Sequence, residues 1–177
     1  NKRLTENITW ADNRSSRYAD LIENEYNGFE IYQRTGTPLH PMSPLSKIFW
    51  MKHEQPAIYN QTAKFADIKT YIFYQLFDKY VIDYSMASAT GMFNLGQLDW
   101  DEKALKLLGI SRDQLPELVP TTHILTGMKK RFAELMDIDE NTPVVVGASD
   151  GVLSNLGVNS YKKGEVAVTI GTSGAIR

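Results

Sequence analysis

The chain has no cysteine among its 177 residues. Disulfide frameworks and thiolate-held metals are thereby excluded, and a reducing, cytoplasmic setting fits, although a missing residue type fixes no compartment. It also lacks any run of about 18 apolar residues, so no membrane span is expected. An excess of either charge is missing too: 19 basic residues face 21 acidic ones, for a net charge of −2. That balance predicts no nucleic-acid partner and no anionic membrane partner. His53 and His123 have no metal-ligand spacing, and the acidic stretch Asp137, Asp139, Glu140 lacks the glycine and ligand spacing of a calcium loop, so no metal is expected on them. Repeats and low-complexity segments are absent. What remains, 42% hydrophobic and 23% charged residues, is the composition of a soluble globular protein. The sequence opens at Asn1 without methionine or a signal-like segment and stops at Arg177, directly after a strand-and-turn signal. An internal piece of a longer protein is the expectation.

Helical signals dominate residues 14–136. Tyr18, Ile22 and Tyr26 share one face of a helix over 15–27, closed by Asn27-Gly28, and a second short helix covers Phe29 to Arg34. Pro44 suits the first turn of a helix burying Leu45, Ile48 and Phe49, and Pro56 to Gln61 reads as another. Asp67 can cap an apolar helix from Ile68 to Phe77 that is expected in the core. Ser85 to Thr90 is a small-residue helix that lets neighbours approach closely. Asp99 and Glu102 precede the run Ala104, Leu105, Leu108, with Gly109 as its stop, and Ser111 with Gln114 repeats the capping pattern. Lys129 to Met136 is the last helix of this region, and its basic stretch reads as a solvated face. Short strands are expected at Asn7–Trp10, Lys64–Ala66 and Tyr80–Asp83. The fold class is α/β, with a parallel or mixed sheet towards the C-terminus and a helical insertion before it.

Two stretches carry chemistry. Pro143 to Gly151 is an apolar β-branched run ending at Gly147-Ala148-Ser149-Asp150-Gly151, and Val166 to Gly174 ends at Gly171-Thr172-Ser173-Gly174. A buried strand delivering one carboxylate, Asp150, into a tight turn can hold a general base on a rigid support. A turn rich in bare N–H groups and hydroxyls can receive a phosphate, or can simply close a hairpin. Together they suggest phosphoryl transfer to a hydroxyl. Asp150 capping a helix, Trp10 as a core residue beside a surface Asp12–Arg14 pair, and His40 as an ordinary surface histidine are the plainer alternatives.

In order along the chain stand Trp10-x-Asp12-x-Arg14, Lys47-x-x-Trp50, Asp83-x-x-x-Ala87-Ser88-Ala89-Thr90-Gly91-x-Phe93, Leu98-Asp99-Trp100-Asp101, Leu115-Pro116, Gly147-Ala148-Ser149-Asp150-Gly151 and Gly171-Thr172-Ser173-Gly174. This ordered set resembles the FGGY carbohydrate kinases, the family of glycerol, xylulose and gluconate kinases. His40-Pro41-Met42-Ser43-Pro44 and Val168 to Ala175 look most like the gluconate-phosphorylating members. The resemblance implies an actin-like, RNase H-like ATPase fold of two lobes, with ATP and sugar between them. Residues 1–160 would supply part of the first lobe, with a large helical insertion, and 161–177 the start of the second. The Asp-x-Gly-Thr-Thr phosphate turn of the family's first strand is not in this sequence, so the piece alone is expected to be inactive. Asp150 would be the general base; Trp10, Asp12, Arg14, His40, Met42, Ser43 and Gly151 would meet the sugar; Gly171, Thr172, Ser173 and Gly174 would meet the ATP phosphates. The implied reaction is ATP- and Mg²⁺-dependent phosphorylation of a terminal hydroxyl, D-gluconate giving 6-phosphogluconate. A kinase for another polyol such as xylulose or glycerol, and a non-catalytic sugar- or partner-binding module, stay open, as does a homodimer. A gluconate carboxylate needs a cation nearby, with His40, Lys47 and Arg14 as candidates.

Overall fold

The structure, a computed structural model, describes residues 2–171 and 174–176. At its centre lies a parallel pair, β1 (Val81–Asp83) and β4 (Glu117–Val119), with Val81 opposite Glu117 and Asp83 opposite Val119. Successive side chains on a strand point to opposite faces, and both strands use this to separate two cores. Ile82 faces a larger cluster built on Ile22, Leu45, Phe49, Phe93, Trp100, Leu105 and Leu108. Val81 and Val119 face a smaller one with Phe73, Phe77, Leu125, Met128, Ala133 and Val146. Burial on both faces is what a parallel pair in an α/β protein requires.

The larger core is helical. Helix α1 (Ser16–Glu25) buries Tyr18, Ala19 and Ile22, and α2 (Gly28–Thr35) buries Ile31. Helix α3 (Pro44–Glu54) is capped by the Ser43 hydroxyl and begins at Pro44, and every residue from Leu45 to Met51 is buried. Helix α4 (Pro56–Gln61) follows directly. Helix α5 (Ile68–Phe77) belongs to the smaller core, its Asp67 cap accepting the Thr70 N–H at 2.6 Å. The expectation that α5 lies wholly in the core is corrected. It buries Thr70, Phe73 and Phe77, one stripe at i, i+3, i+7, while Ile68, Tyr71 and Ile72 stay exposed.

After β1 comes a short helix, α6 (Tyr84–Ser88), and then an antiparallel pair, β2 (Phe93–Asn94) with β3 (Asp99–Trp100). Helix α7 (Glu102–Leu108) ends at Gly109, whose φ of 76° suits a glycine stop. Its cap is Asp101, where the spacing had pointed to Asp99 and Glu102. Those two instead hold Arg112, which begins a 3₁₀ turn (Arg112–Gln114) closed by the expected Ser111–Gln114 box. Beyond β4 run β5 (Ile124–Leu125), α8 (Lys130–Met136), β6 (Val144–Val145), α9 (Asp150–Gly157), β7 (Val168–Ile170) and β8 (Gly174–Ile176).

Three strand expectations change. Asn7–Trp10 forms no strand, because the Thr9 carbonyl takes the Asp12 N–H and closes a turn. Lys64–Ala66 is irregular, held by a single ladder-like bond from Phe65 N–H to the Gln114 carbonyl at 2.8 Å. The C-terminal strands form two separate antiparallel pairs, β5–β6 and β7–β8, and among the described residues the only parallel pairing is β1–β4.

Asp101 ties the larger core together. Its carboxylate receives Arg34 through two contacts, at 2.7 and 3.1 Å, the Asn94 amide at 3.0 Å and the Ala104 N–H at 2.9 Å. Burial opposes its charge, but the Arg34, Ala104 and Asn94 hydrogen bonds outweigh burial and hold the carboxyl below the usual range. A depressed folded value means stabilisation that is full above the ordinary carboxylate pKa and is lost as pH falls through the lower one. Asp101→Ala should cost about 3 kcal/mol, since it strands a half-buried guanidinium and a helix N–H. Urea titrations should show wild-type stability falling more than that of Asp101→Asn as the pH drops below the ordinary carboxylate range; parallel pH profiles would contradict the assignment.

Candidate functional site

The turn that leads to Asp150 is anchored by backbone. Val146 is buried in the smaller core, its N–H bonded to the His123 carbonyl and the Gly147 N–H to that of Thr121, both at 2.9 Å. The strand itself is not buried as expected. Val145 is 55% exposed, so one plug residue, and not a sunken strand, gives the support its rigidity. Gly147 then turns at φ 72° with no atom near the place a Cβ would occupy. Its glycine is required by backbone conformation and not by space.

Asp150 is the first residue of α9, and Ser149 is the N-cap. The carboxylate is exposed, and Oδ1 accepts the Gly151 N–H at 2.7 Å. The Ser149 hydroxyl does not cap α9. It is engaged by Ser85 of α6, whose Oγ donates to Ser149 Oγ at 3.0 Å and accepts the Ser149 N–H at 3.2 Å. Sequence reading gave Ser85 no role. The one available signal was the small-residue composition of its helix, which permits close approach but names no partner.

The second group of expected residues lies in the turns before α1, in a segment tied to α3. Trp10 is 73% exposed, which excludes the core reading for it. Asp12 and Arg14 form a forked pair, Nε to Oδ1 at 3.0 Å and Nη2 to Oδ2 at 2.6 Å, with the Arg14 N–H on Oδ1 as well. The Arg14 hydrogen bonds lower the Asp12 carboxyl to about 2, so the pair stays ionised at neutral pH. Lys47 is buried and its ammonium donates to the Thr9 carbonyl. One turn further along the same helix, the Trp50 ring lies 4.5 Å beneath the Arg14 guanidinium. Two residues of α3 thus pin an otherwise irregular segment at both ends. Burial pushes the Lys47 ammonium down, with Asp12 opposing and Arg14 adding to that shift.

The proline-rich loop bears the third group. His40 and Met42 are exposed, and His40 Nδ1 accepts the Met42 N–H at 3.1 Å, which leaves the ring proton on Nε2. Ser43 is buried; its hydroxyl donates to the His40 carbonyl and caps α3, so it is spent on the loop's own geometry. Gly151 is half-buried in the first turn of α9. Gly171 and Gly174 flank the β7–β8 turn, where Ile170 pairs with Gly174. β7 and β8 run antiparallel; Thr172 and Ser173 lie outside the described residues.

Short links join these groups. Ser15 Oγ donates to the Pro41 carbonyl at 3.0 Å, and the Leu45 N–H at the start of α3 reaches the Thr90 carbonyl at 3.0 Å. Thr37 Oγ1 reaches the Ser88 carbonyl at 2.6 Å, and Ser85, at the other end of α6, reaches Ser149. A five-residue helix, on the order of 7 Å long, so connects the loops of Trp10, Arg14 and His40 to the turn of Asp150. Neither of two surface cavities reaches Asp150. One, of about 250 Å³, touches Arg14 and Trp50 but not Asp150. The other, of about 550 Å³ between Lys64, Tyr80, Asp99 and Arg112, touches none of the expected residues. An exposed carboxylate on a fixed turn, linked to a surface tryptophan, a forked ion pair and a free imidazole N–H, can take a proton from a polar, hydroxylated ligand. Among the described residues no three His, Asp or Glu side chains gather into a metal-holding group, and no helix is long and apolar enough to cross a membrane.

Comparison with known proteins agrees on one lineage. A family model described as the FGGY family of carbohydrate kinases, N-terminal domain, matches residues 1–157. The chain is 62% identical to a gluconokinase of Bacillus subtilis over 176 residues, 99% of this chain and 34% of that protein. It is 33% identical to glycerol kinase 2 of Saccharolobus solfataricus, covering 96% of this chain and 34% of the relative. Two solved structures from Lactobacillus acidophilus, a gluconate kinase and a ligand-bound xylulose kinase, each superimpose with a TM-score of 0.95 at 39% identity, over 99% of this chain and 36% of theirs. The chain spans about a third of the length of the curated relatives it matches. The fold is thus α/β of the actin-like ATPase kind, seen in the N-terminal part.

Replacing Lys47 by Met keeps an apolar stem of similar length but leaves the Thr9 carbonyl without its charged donor. Trypsin should then cut after Arg14 about tenfold faster, the effect of losing roughly 1.5 kcal/mol of charge-assisted hydrogen bonding. An unchanged cleavage rate would mean that Lys47 does not hold this segment.

Proposed function

The chain belongs to the FGGY family of carbohydrate kinases, and from that premise we propose that the protein it represents phosphorylates the C6 hydroxyl of D-gluconate from ATP, giving 6-phosphogluconate. The observation that carries this reading is Asp150, an exposed carboxylate on a turn fixed by Val146, Gly147 and Ser149. Its carboxylate accepts the proton of the sugar hydroxyl as that oxygen attacks the γ-phosphorus; the new O–P bond forms while the bond to the bridging oxygen breaks and ADP leaves. We assign the ATP phosphates to Gly171, Thr172, Ser173 and Gly174, a glycine- and hydroxyl-rich stretch of sequence directly after β7. Magnesium belongs with the ATP phosphates; the described side chains form no cage for it. Residues 161–177 open the second lobe, while 1–160 belong to the first.

Trp10 supplies an apolar wall, and Asp12, Arg14 and Gly151 line the sugar side. Of the three candidates, Lys47 is spent on Thr9 and Arg14 on Asp12, whereas His40, whose Nδ1 accepts the Met42 N–H, has its Nε2–H to offer a carboxylate as a hydrogen-bond donor. We assign the gluconate carboxylate to His40, with Met42 beside it; Ser43 acts through the loop it caps. The equal likeness to a xylulose kinase structure supports one second reading, a kinase for a neutral ketose at the same site.

In the full-length protein, Asp150→Asn should cut turnover by about 10²- to 10⁴-fold with little change in the KM for sugar. Near-normal turnover would remove Asp150 from the role. His40→Ala should raise the KM for gluconate and leave that for xylulose unchanged. Equal effects on both sugars would contradict the carboxylate contact, and xylulose outperforming gluconate in the wild type would favour the second reading.

A further inference from the structure

We propose that Ser85 is a positioning residue for the phosphoryl-transfer step, acting through Ser149 to fix the direction of the Asp150 carboxylate. This rests on the reading of Asp150 as the base. Ser85 Oγ makes two bonds to Ser149, donating to its hydroxyl at 3.0 Å and accepting its N–H at 3.2 Å. Both bonds end one residue before Asp150. A hydroxyl that grips the N–H and the side chain of the same residue restrains the backbone rotation preceding the next residue, and hence where the next Cβ points.

The bonds matter more to α9 than to α6. Helix α6 is already held by the Asp83 carboxylate on the Met86 N–H at 3.0 Å, by Thr37 on the Ser88 carbonyl and by Leu45 on the Thr90 carbonyl. Helix α9 has no buried residue, and Val152, Leu153 and Leu156 are exposed. Among the described residues, the two bonds from Ser85 are the side-chain hydrogen bonds that reach residues 149–157 from another element. The direction of the acid thus depends on a contact between residues 64 positions apart. The support behind Ser85 is stiff: it lies two residues after Asp83, a fully buried carboxylate paired with Lys69 at 2.6 Å. Misplacing a reacting group by about 1 Å can cost on the order of 10²-fold in rate, so a small rotation of this turn is enough to matter.

The test is a double-mutant cycle in the full-length protein, assayed with ATP and gluconate. Ser85→Ala should lower kcat about tenfold or more, with KM for gluconate little changed, and Ser85→Thr, which keeps the hydroxyl, should recover most of that loss. In the Asp150→Asn background, Ser85→Ala should lower kcat no further, because no carboxylate remains to be aimed. Ser149→Ala, which keeps the N–H bond to Ser85, should show a smaller loss and serves if Ser85→Ala does not fold. A wild-type kcat in both Ser85→Ala and Ser149→Ala beside a crippled Asp150→Asn overturns the positioning role alone. Equal kcat losses from Ser85→Ala in both backgrounds also overturn it, since they mark a general structural effect. Full turnover in Asp150→Asn overturns the base reading, and the positioning role with it.

Discussion

The Asp83 carboxylate is the constraint from which the rest of the site follows. It is fully buried, at the last position of β1, and it answers two demands at once: it pairs with Lys69 and caps α6 through the Met86 N–H. A buried charge is tolerated only when it is paired and hydrogen-bonded. The end of the strand and the start of the helix are therefore fixed to each other within one residue. Ligands of open α/β sheets gather beyond the carboxyl ends of parallel strands, and Asp83 marks that end for β1.

From that point two cores diverge. Ile82 belongs to the larger and Val81 to the smaller, so the parallel pair is a wall with a hydrophobic filling on each side. The loops of Trp10, Arg14 and His40 rest on the larger core through α3. The turn of Asp150 rests on the smaller through Val146. Helix α6, packed between β1, β2 and β4, is the short strut between them, with Thr90 and Ser88 at one end and Ser85 at the other. Anchoring is uneven along this path: Lys47 and Trp50 are buried, while α9 buries nothing. Elements with few buried contacts open most readily, so the proposed base stands at the start of the less firmly packed helix.

What could be read from sequence was what local chemistry decides. The Asp67 cap, Pro44 at the first turn of α3, Gly109 as a stop and the Ser111–Gln114 box each depend on residues three or four apart, and each is present. Short strands were less legible, because a strand exists only if a partner is aligned beside it. Asn7–Trp10 had the right residues but closes a turn, and in the run at Val144 only Val146 is buried. The candidate acid was visible as a lone carboxylate after an apolar run. What holds it was not: Ser85 and Ser149 are 64 residues apart, and Lys47 and Thr9 are 38 apart, with no spacing rule to join them.

Everything proposed for the site depends on where one carboxylate stands when substrate is bound. A crystal structure of the full-length protein with gluconate and a non-hydrolysable ATP analogue measures this directly. A carboxylate oxygen of Asp150 is expected within about 2.6–3.2 Å of the gluconate C6 oxygen, with Ser85 still bonded to Ser149. A sugar bound with its terminal hydroxyl beyond the reach of Asp150, even through one water, would contradict it.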